Sequence, residues 1–334
     1  MKLDTIVKEI IETGKGTPQK ILIHGDAGTG KTALIASLVL EGYELILVDT
    51  ENGFETLISH LPASLHHKVN VIRVRDTKAT PWAIETCTKL MSGRPQKICV
   101  KHGRISCPDC IRNKDLLEEF NFSLLNTDTV VAFDSLTQIV ESAKAVATTN
   151  LPVDAKLEQD HWGRMGMYLA IFLGAVQQAP FHIVCTSHSQ EIQAPDGSSK
   201  LYPVGGTRNA SRQTARYFGH VVYTEIKNKI FRAASSAQHH PKVVAKSRAD
   251  LAMETGNVSL GDLLIAKPKE GGASADIQEE IGAEGTVEVI TKPVRLQDKM
   301  AALKVSAAIV SKAPPAPSST PIPSNINNSI GLPK

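Results

Sequence analysis

Gly25-Asp26-Ala27-Gly28-Thr29-Gly30-Lys31-Thr32 is the stretch on which the fold turns. Its spacing is G-x-x-x-x-G-K-T. Glycines at these positions let successive backbone amides curl inward around phosphate oxygens, where a Cβ would obstruct both the curl and the ligand. Lys31 is placed to reach the β- and γ-phosphates of ATP, and Thr32 to ligate the accompanying Mg2+. Upstream lies Lys20-Ile-Leu-Ile-His24, an apolar run of strand length. Downstream, Ala33 to Leu40 reads as a helix whose positive dipole end faces the anion. Strand, loop and helix in that order are the context this motif requires. All eight residues from Gly25 to Thr32 are therefore expected to cradle the nucleotide.

Working outward, Glu44 to Val48 reads as a buried strand, Val69 to Val74 as another, and Thr80-Pro81 as the opening of a helix towards Met91. Thr129 to Phe133 and His182 to Thr186 are further apolar strands, with Trp162 to Gln178 largely helical between them. Val221 to Ile226 and Lys242 to Ala245 read as shorter strands. Strands alternating with helices predict an α/β fold with a mainly parallel twisted sheet flanked by helices. The chain has 334 residues, 42% hydrophobic, 21% charged and net charge +3, which suits a core-forming protein and neither demands nor excludes nucleic acid. At 4%, aromatic residues are too few for a sheet face built to stack bases.

Two acids belong with the phosphate loop. Val130-Val-Ala-Phe-Asp134 is a second strand ending in aspartate, the expected partner of Thr32 in holding Mg2+. AAA+ ATPases usually place a water-activating glutamate directly after that aspartate, and here the position is Ser135. The other candidate is Glu51, in Leu47-Val-Asp-Thr-Glu-Asn-Gly53; the alternative use for such a residue is capping or surface charge. With this arrangement, residues 15 to 265 resemble RecA-like P-loop ATPases, in particular the bacteriophage-encoded single-strand annealing and recombination proteins of Sak type. The resemblance implies Glu51 as the catalytic carboxylate and His188, in Ser187-His188-Ser189-Gln190, at the γ-phosphate sensor position. The family's usual glutamine is absent there, and a structural histidine is the alternative.

The resemblance also implies that Lys246 and Arg248, in Val243-Val-Ala-Lys246-Ser-Arg248, reach the ATP of a neighbouring subunit; plain surface charge is the other reading. Gly205-Gly-Thr-Arg208, followed by Arg212 and Arg216, resembles a DNA-facing loop and its exit helix, or else is a solvated basic helix. Candidate DNA-facing segments are the loop around Thr148 to Arg164 and the loop Gln190 to Arg212. The implied function is ATP hydrolysis on single-stranded DNA in phage recombination or annealing, by a homo-oligomer in the bacterial cytoplasm, with phage or host replication proteins as possible partners. A replication motor or loader and a nucleotide-gated scaffold with little turnover are the rivals.

Residues 95–115 interrupt the rhythm with Cys99-Val-Lys-His102 and Cys107-Pro-Asp-Cys110. Two chelating pairs supply four ligands for a tetrahedral, closed, structural Zn2+ site, reduced thiols being the alternative. Lys97, Lys101, Arg104, Arg112 and Lys114 surround this hairpin and either touch DNA or merely clothe the insertion. Cys87 and Cys185 read as core. Met1 to Gly14 has the spacing of an amphipathic helix, and no run reaches membrane-spanning length. The expected organisation is a core over 1–265 carrying the hairpin, then a linker and a Pro/Ser/Ala-rich, disordered tail over 266–334.

Overall fold

The computed structural model describes residues 17–77, 79–149, 151–152, 155–194, 196–237, 240–247 and 259–264. All of them lie in one unit spanning Met1–Lys292. The amphipathic helix expected before Gly14 and the tail expected after 266 lie outside the described residues.

In chain order the elements are β1 (Lys20–Gly25), α1 (Lys31–Leu40), β2 (Glu44–Asp49), α2 (Phe54–Ser59), β3 (Val69–Arg73), α3 (Ala83–Leu90), β4 (Gln96–Cys99) and β5 (Leu117–Phe120). There follow β6 (Thr129–Asp134), α4 (Leu136–Ala147), α5 (Gln159–Gln178), β7 (His182–Ser187), β8 (Ser189–Gln193) and β9 (Ser199–Pro203). The last are α6 (Arg208–Thr214), β10 (His220–Lys227), β11 (Ile230–Ala234) and α7 (Gly261–Leu264). Seven strands form the main sheet in the order β11-β10-β1-β7-β6-β2-β3. It is parallel throughout except for β11, which returns antiparallel along β10. Two antiparallel pairs, β4-β5 and β8-β9, stand outside it.

A parallel sheet must bury both faces, and the strands alternate between two cores with period two. Leu22, Ile46, Val48, Val131 and Phe133 point to one face, where α3, α4 and α5 pack. Ile21, Ile23, Leu45, Leu47, Val130 and Ala132 point to the other, against α1, α2 and α7. On α5 the inward residues are Met165, Leu169, Phe172, Leu173 and Val176, the helical spacing of a core stripe. Each fully buried large side chain contributes roughly 1.5–3 kcal/mol. The two-sided core therefore holds the strand ends, and the site they carry, in register.

The structure revises four sequence readings. Residues 242–245 do not form a strand; Val243 and Lys246 make only isolated bridges, to Leu201 and Val221. Helix α3 begins at Ala83, not at Thr80-Pro81, because the Ala83 amide donates to Asp76 Oδ1 at 2.8 Å, a cap supplied from seven residues upstream. Residues 136–147, unassigned in the sequence, form α4, capped by Ser135, whose Oγ accepts from the Gln138 amide at 3.3 Å. The stretch 190–212, read as a loop, is instead mostly the β8-β9 hairpin and the start of α6.

Candidate nucleotide site and Cys3His cluster

The phosphate loop joins the end of β1 to α1. Its conformation needs glycine at Gly30, the residue before α1, where φ is 84°. Threonine hydroxyls brace it: Thr29 Oγ1 donates to the Asp26 carbonyl at 2.8 Å and pairs with Thr224 Oγ1 of β10 at 2.8 Å. Lys31 Nζ donates to the Gly25 and Asp26 carbonyls at 3.0 and 2.7 Å. Burial lowers the Lys31 pKa, opposed by the charges of Asp134, Glu51 and Asp26. A partly desolvated ammonium facing three carboxylates is poised to trade the loop carbonyls for phosphate oxygens.

Strand β6 delivers Asp134 beside the loop. One carboxylate oxygen accepts from Thr32 Oγ1 at 2.9 Å, and the other accepts from Thr186 Oγ1 of β7. These are hard oxygen donors side by side, the chemistry that suits Mg2+. Gly53 lies so close that a Cβ there would meet Asp134 Oδ2 at 2.3 Å, so this position accepts no side chain while Asp134 stays in place.

Glu51 stands at the end of the neighbouring strand. One of its oxygens accepts from Ser135 Oγ, and the other lies 3.7 Å from His188 Nε2. The segment after β2 is held by Asp49, whose carboxylate accepts the amides of Glu51, Gly53 and Phe54 at 3.2, 2.9 and 3.3 Å. Burial raises the Asp49 pKa, and those amides act against it. His188 is fixed through its own amide, which donates to Thr137 Oγ1 at 2.8 Å.

Lys31, Thr32, Asp134, Glu51 and His188 thus converge from β1, β6, β2 and β7. Lys246 is placed by its backbone. It exchanges backbone hydrogen bonds with Val221, which is in register with Leu22, three residues before the loop. That offset is about 10 Å along the strand. Arg248 lies outside the described residues. Sequence reasoning missed Asp49, Thr186 and Ser135. Asp49 carried a signal, an aspartate just ahead of Asn52-Gly53, the composition of a side-chain-capped turn. The bonds from Ser135 to Glu51 and from Thr186 to Asp134 join residues more than fifty positions apart in the chain, and no local pattern announces either pairing.

The four predicted metal ligands also come together. Cys99 ends β4, while His102, Cys107 and Cys110 lie in the connection to β5, and their ligand atoms all fall within 4.8 Å of one another. The three sulfurs lie 3.6, 3.4 and 3.5 Å from His102 Nδ1. Zn–S and Zn–N bonds of about 2.3 and 2.0–2.1 Å at the tetrahedral angle span an S···N edge of about 3.5 Å. The donor set and its spacing fit zinc. Cys87 and Cys185, by contrast, are wholly buried and their thiol pKa values are pushed up by that burial, as core residues require.

The family model described as an AAA domain matches residues 17–249. The chain belongs to this AAA-domain family. No curated protein matches it. Among solved structures, the RadB recombinase is similar at 13% identity and TM-score 0.37, covering 68% of this chain and 84% of that one. The flagellar accessory protein FlaH from Methanocaldococcus jannaschii is similar at 15% identity and TM-score 0.34, covering 68% and 81%. An ATPase from the type III secretion system of pathogenic bacteria shows 14% identity and TM-score 0.37, covering 63% of this chain and 53% of its own. With TM-scores below 0.5, these likenesses assign no function to this AAA-domain protein. Within the domain, the residue after the strand-end aspartate is a helix cap, and the carboxylate beside it is that of Glu51. Among the described residues no helix is long and apolar enough to cross a membrane.

Proposed function

We propose that this AAA-domain protein hydrolyses ATP with Mg2+ at the loop Gly25–Thr32 and couples the reaction to single-stranded DNA. The observation that carries the proposal is the placement of the Glu51 carboxylate, oriented through the hydrogen bond from Ser135 Oγ and with His188 nearby, beside Asp134 and Thr32. In this reading the loop amides and Lys31 hold the phosphates, while Thr32 and Asp134 hold Mg2+, which neutralises charge on the β- and γ-oxygens. Glu51 orients the attacking water and accepts its proton. His188, bridged to Glu51, senses the γ-phosphate. Asp49, Ser135 and Thr186 position these groups without touching the nucleotide.

The Lys246 backbone is paired with Val221, below the level of its own loop, and we assign its side chain, together with Arg248, to the ATP of an adjoining subunit. Single-stranded DNA would be held by the basic residues around α6, Arg208, Arg212 and Arg216, and by the residues preceding and opening α5. Annealing or recombination, in the manner of the phage proteins the sequence resembles, is the process this combination serves. The Cys99, His102, Cys107 and Cys110 cluster holds a structural Zn2+, and the insertion belongs to a core over 1–265. ATP turnover with and without single-stranded DNA tests the proposal. Stimulation several-fold or more is expected; turnover indifferent to DNA, with no retention of single strands, contradicts it. Unwinding of a forked duplex would instead assign a motor.

A further inference from the structure

The triphosphate has a defined direction in this site, and that direction says where the rest of the nucleotide must go. In the sheet order β11-β10-β1-β7-β6-β2-β3, the loop hangs from β1. Asp134 and Glu51, the groups that belong at the γ-phosphate, come from β6 and β2 on one side of it. A nucleotide whose γ end points that way leaves the loop on the other side, over β10 and β11.

On that side stands Phe231 of β11. Its ring lies over Gly30: a Cβ built on Gly30 would come within 3.2 Å of Phe231 Cδ1 and 3.6 Å of Cε1. Yet 54% of Phe231 is exposed, and its cross-strand partner Ile226 is 49% exposed. The ring is held by a two-residue hairpin turn, Asn228-Lys229, with φ of 54° and 63°, the left-handed pair of a tight turn. An edge-strand phenylalanine kept half in water by a tight hairpin, its ring against the last glycine of the loop, offers a stacking surface contiguous with the phosphate cradle.

We propose that Phe231 is the nucleobase platform of this site: the planar base of the bound nucleoside triphosphate stacks on its ring, with Ile226 at the margin. The inference rests on the reading of Gly25–Thr32 as the nucleotide loop and adds the recognition of the base. Binding of a base by stacking favours the larger π-face of a purine, so purine triphosphates are preferred to pyrimidine ones.

Calorimetric titration of the full chain with ATP and, separately, with inorganic tripolyphosphate, both with Mg2+, tests it on wild type, Phe231→Ala and Phe231→Trp. Tripolyphosphate fills the cradle but has no base. Phe231→Ala is expected to lose ATP affinity about ten-fold, the scale of one aromatic–base stack, with tripolyphosphate binding unchanged. Phe231→Trp is expected to retain ATP binding and to show indole emission quenched by ATP and not by tripolyphosphate. Unchanged ATP affinity in Phe231→Ala overturns the proposal. So does an equal loss for both ligands, which would mean that the ring only supports the loop, or a change in sedimentation without a change in ATP affinity, which would mean that a second copy covers it. If wild type binds neither ligand, the loop reading itself fails, a result distinct from all of these.

Discussion

His24 illustrates how a single side chain at the end of β1 serves the fold while lying next to the chemistry. Its Nε2 is 2.7 Å from the Val244 carbonyl, an acceptor, so Nε2 carries the proton and Nδ1 accepts from Ser189 Oγ at 2.9 Å. This neutral imidazole ties β1 to the β8-β9 hairpin and to the residues leading to Lys246. Burial lowers its pKa to about 4, with the Val244 carbonyl acting against the shift and the Lys31 charge adding to it. The unfolded chain titrates near 6.5, so folding expels a proton between those values. Stability is complete above about pH 6.5 and falls as pH drops towards 4, by about 3 kcal/mol in all for this residue. Urea titrations across that window should show a steeper fall for wild type than for His24→Gln; equal slopes would remove His24 from the account. The residue was legible in the sequence only as the last position of an apolar strand. Its partners at 189 and 244 are distant in the chain and had no local signature.

Among the elements, the β4-β5 insertion is joined to the Glu51 segment by a continuous path. The His102 carbonyl accepts the Arg75 amide at 3.1 Å, and Gly103 packs on Arg73 and Val74 so closely that a Cβ would meet the Arg73 carbonyl at 2.1 Å. Val74 in turn donates its amide to the Asp49 carbonyl at 2.8 Å, and Asp49 is the residue whose carboxylate holds the Glu51 segment. From the α3 side Thr86 Oγ1 donates to the Gly103 carbonyl at 3.1 Å, while Trp82 meets the His102 ring edge-on and takes the Arg104 guanidinium on its face. Metal loss is therefore expected to loosen the Glu51 segment before it touches the phosphate loop. Cys107→Ser, or chelator treatment of wild type, should lower zinc content and melting temperature and reduce kcat several-fold while ATP affinity stays within about two-fold. Equal zinc in wild type and Cys107→Ser would contradict the metal assignment.

The four residues of the Cys3His cluster were readable because C-x-x-H and C-x-x-C are local spacings. The coupling was not, because it runs through the backbone amides of Val74 and Arg75, just past β3, to the carbonyls of Asp49 and His102. Strand positions were legible for a similar reason: Ile21 to Ile23, Leu45 to Val48 and Val130 to Phe133 are unbroken apolar runs, the mark of strands buried on both faces. Helix α4 escaped notice because its start depends on Ser135, a residue the sequence presented as a missing glutamate.

At the scale of the whole molecule, the phosphate loop and Lys246 sit at different levels of the sheet, and the account assigns them to different subunits in one site. Mixing separates this from a single-chain site. Lys31→Ala and Lys246→Ala should each be nearly inactive alone, and an equimolar mixture should regain turnover, since a Lys31→Ala subunit still offers Lys246 to its neighbour's intact loop. No recovery in stably mixed oligomers would restrict Lys246 to the fold. The strand order was not legible at all, because pairing between β1, β7 and β10 is set by distant segments; only the parallel character followed from the alternation of strands and helices.

The central claim is that Glu51 is the carboxylate that drives ATP hydrolysis in this AAA domain, with position 135 serving as a cap. Steady-state turnover and equilibrium ATP binding, measured together on wild type and Glu51→Gln, test it most directly. The account predicts ATP affinity within about two-fold of wild type and kcat lower by about 10²-fold or more, the usual scale of general-base loss. A Glu51→Gln protein that turns over like wild type would contradict it.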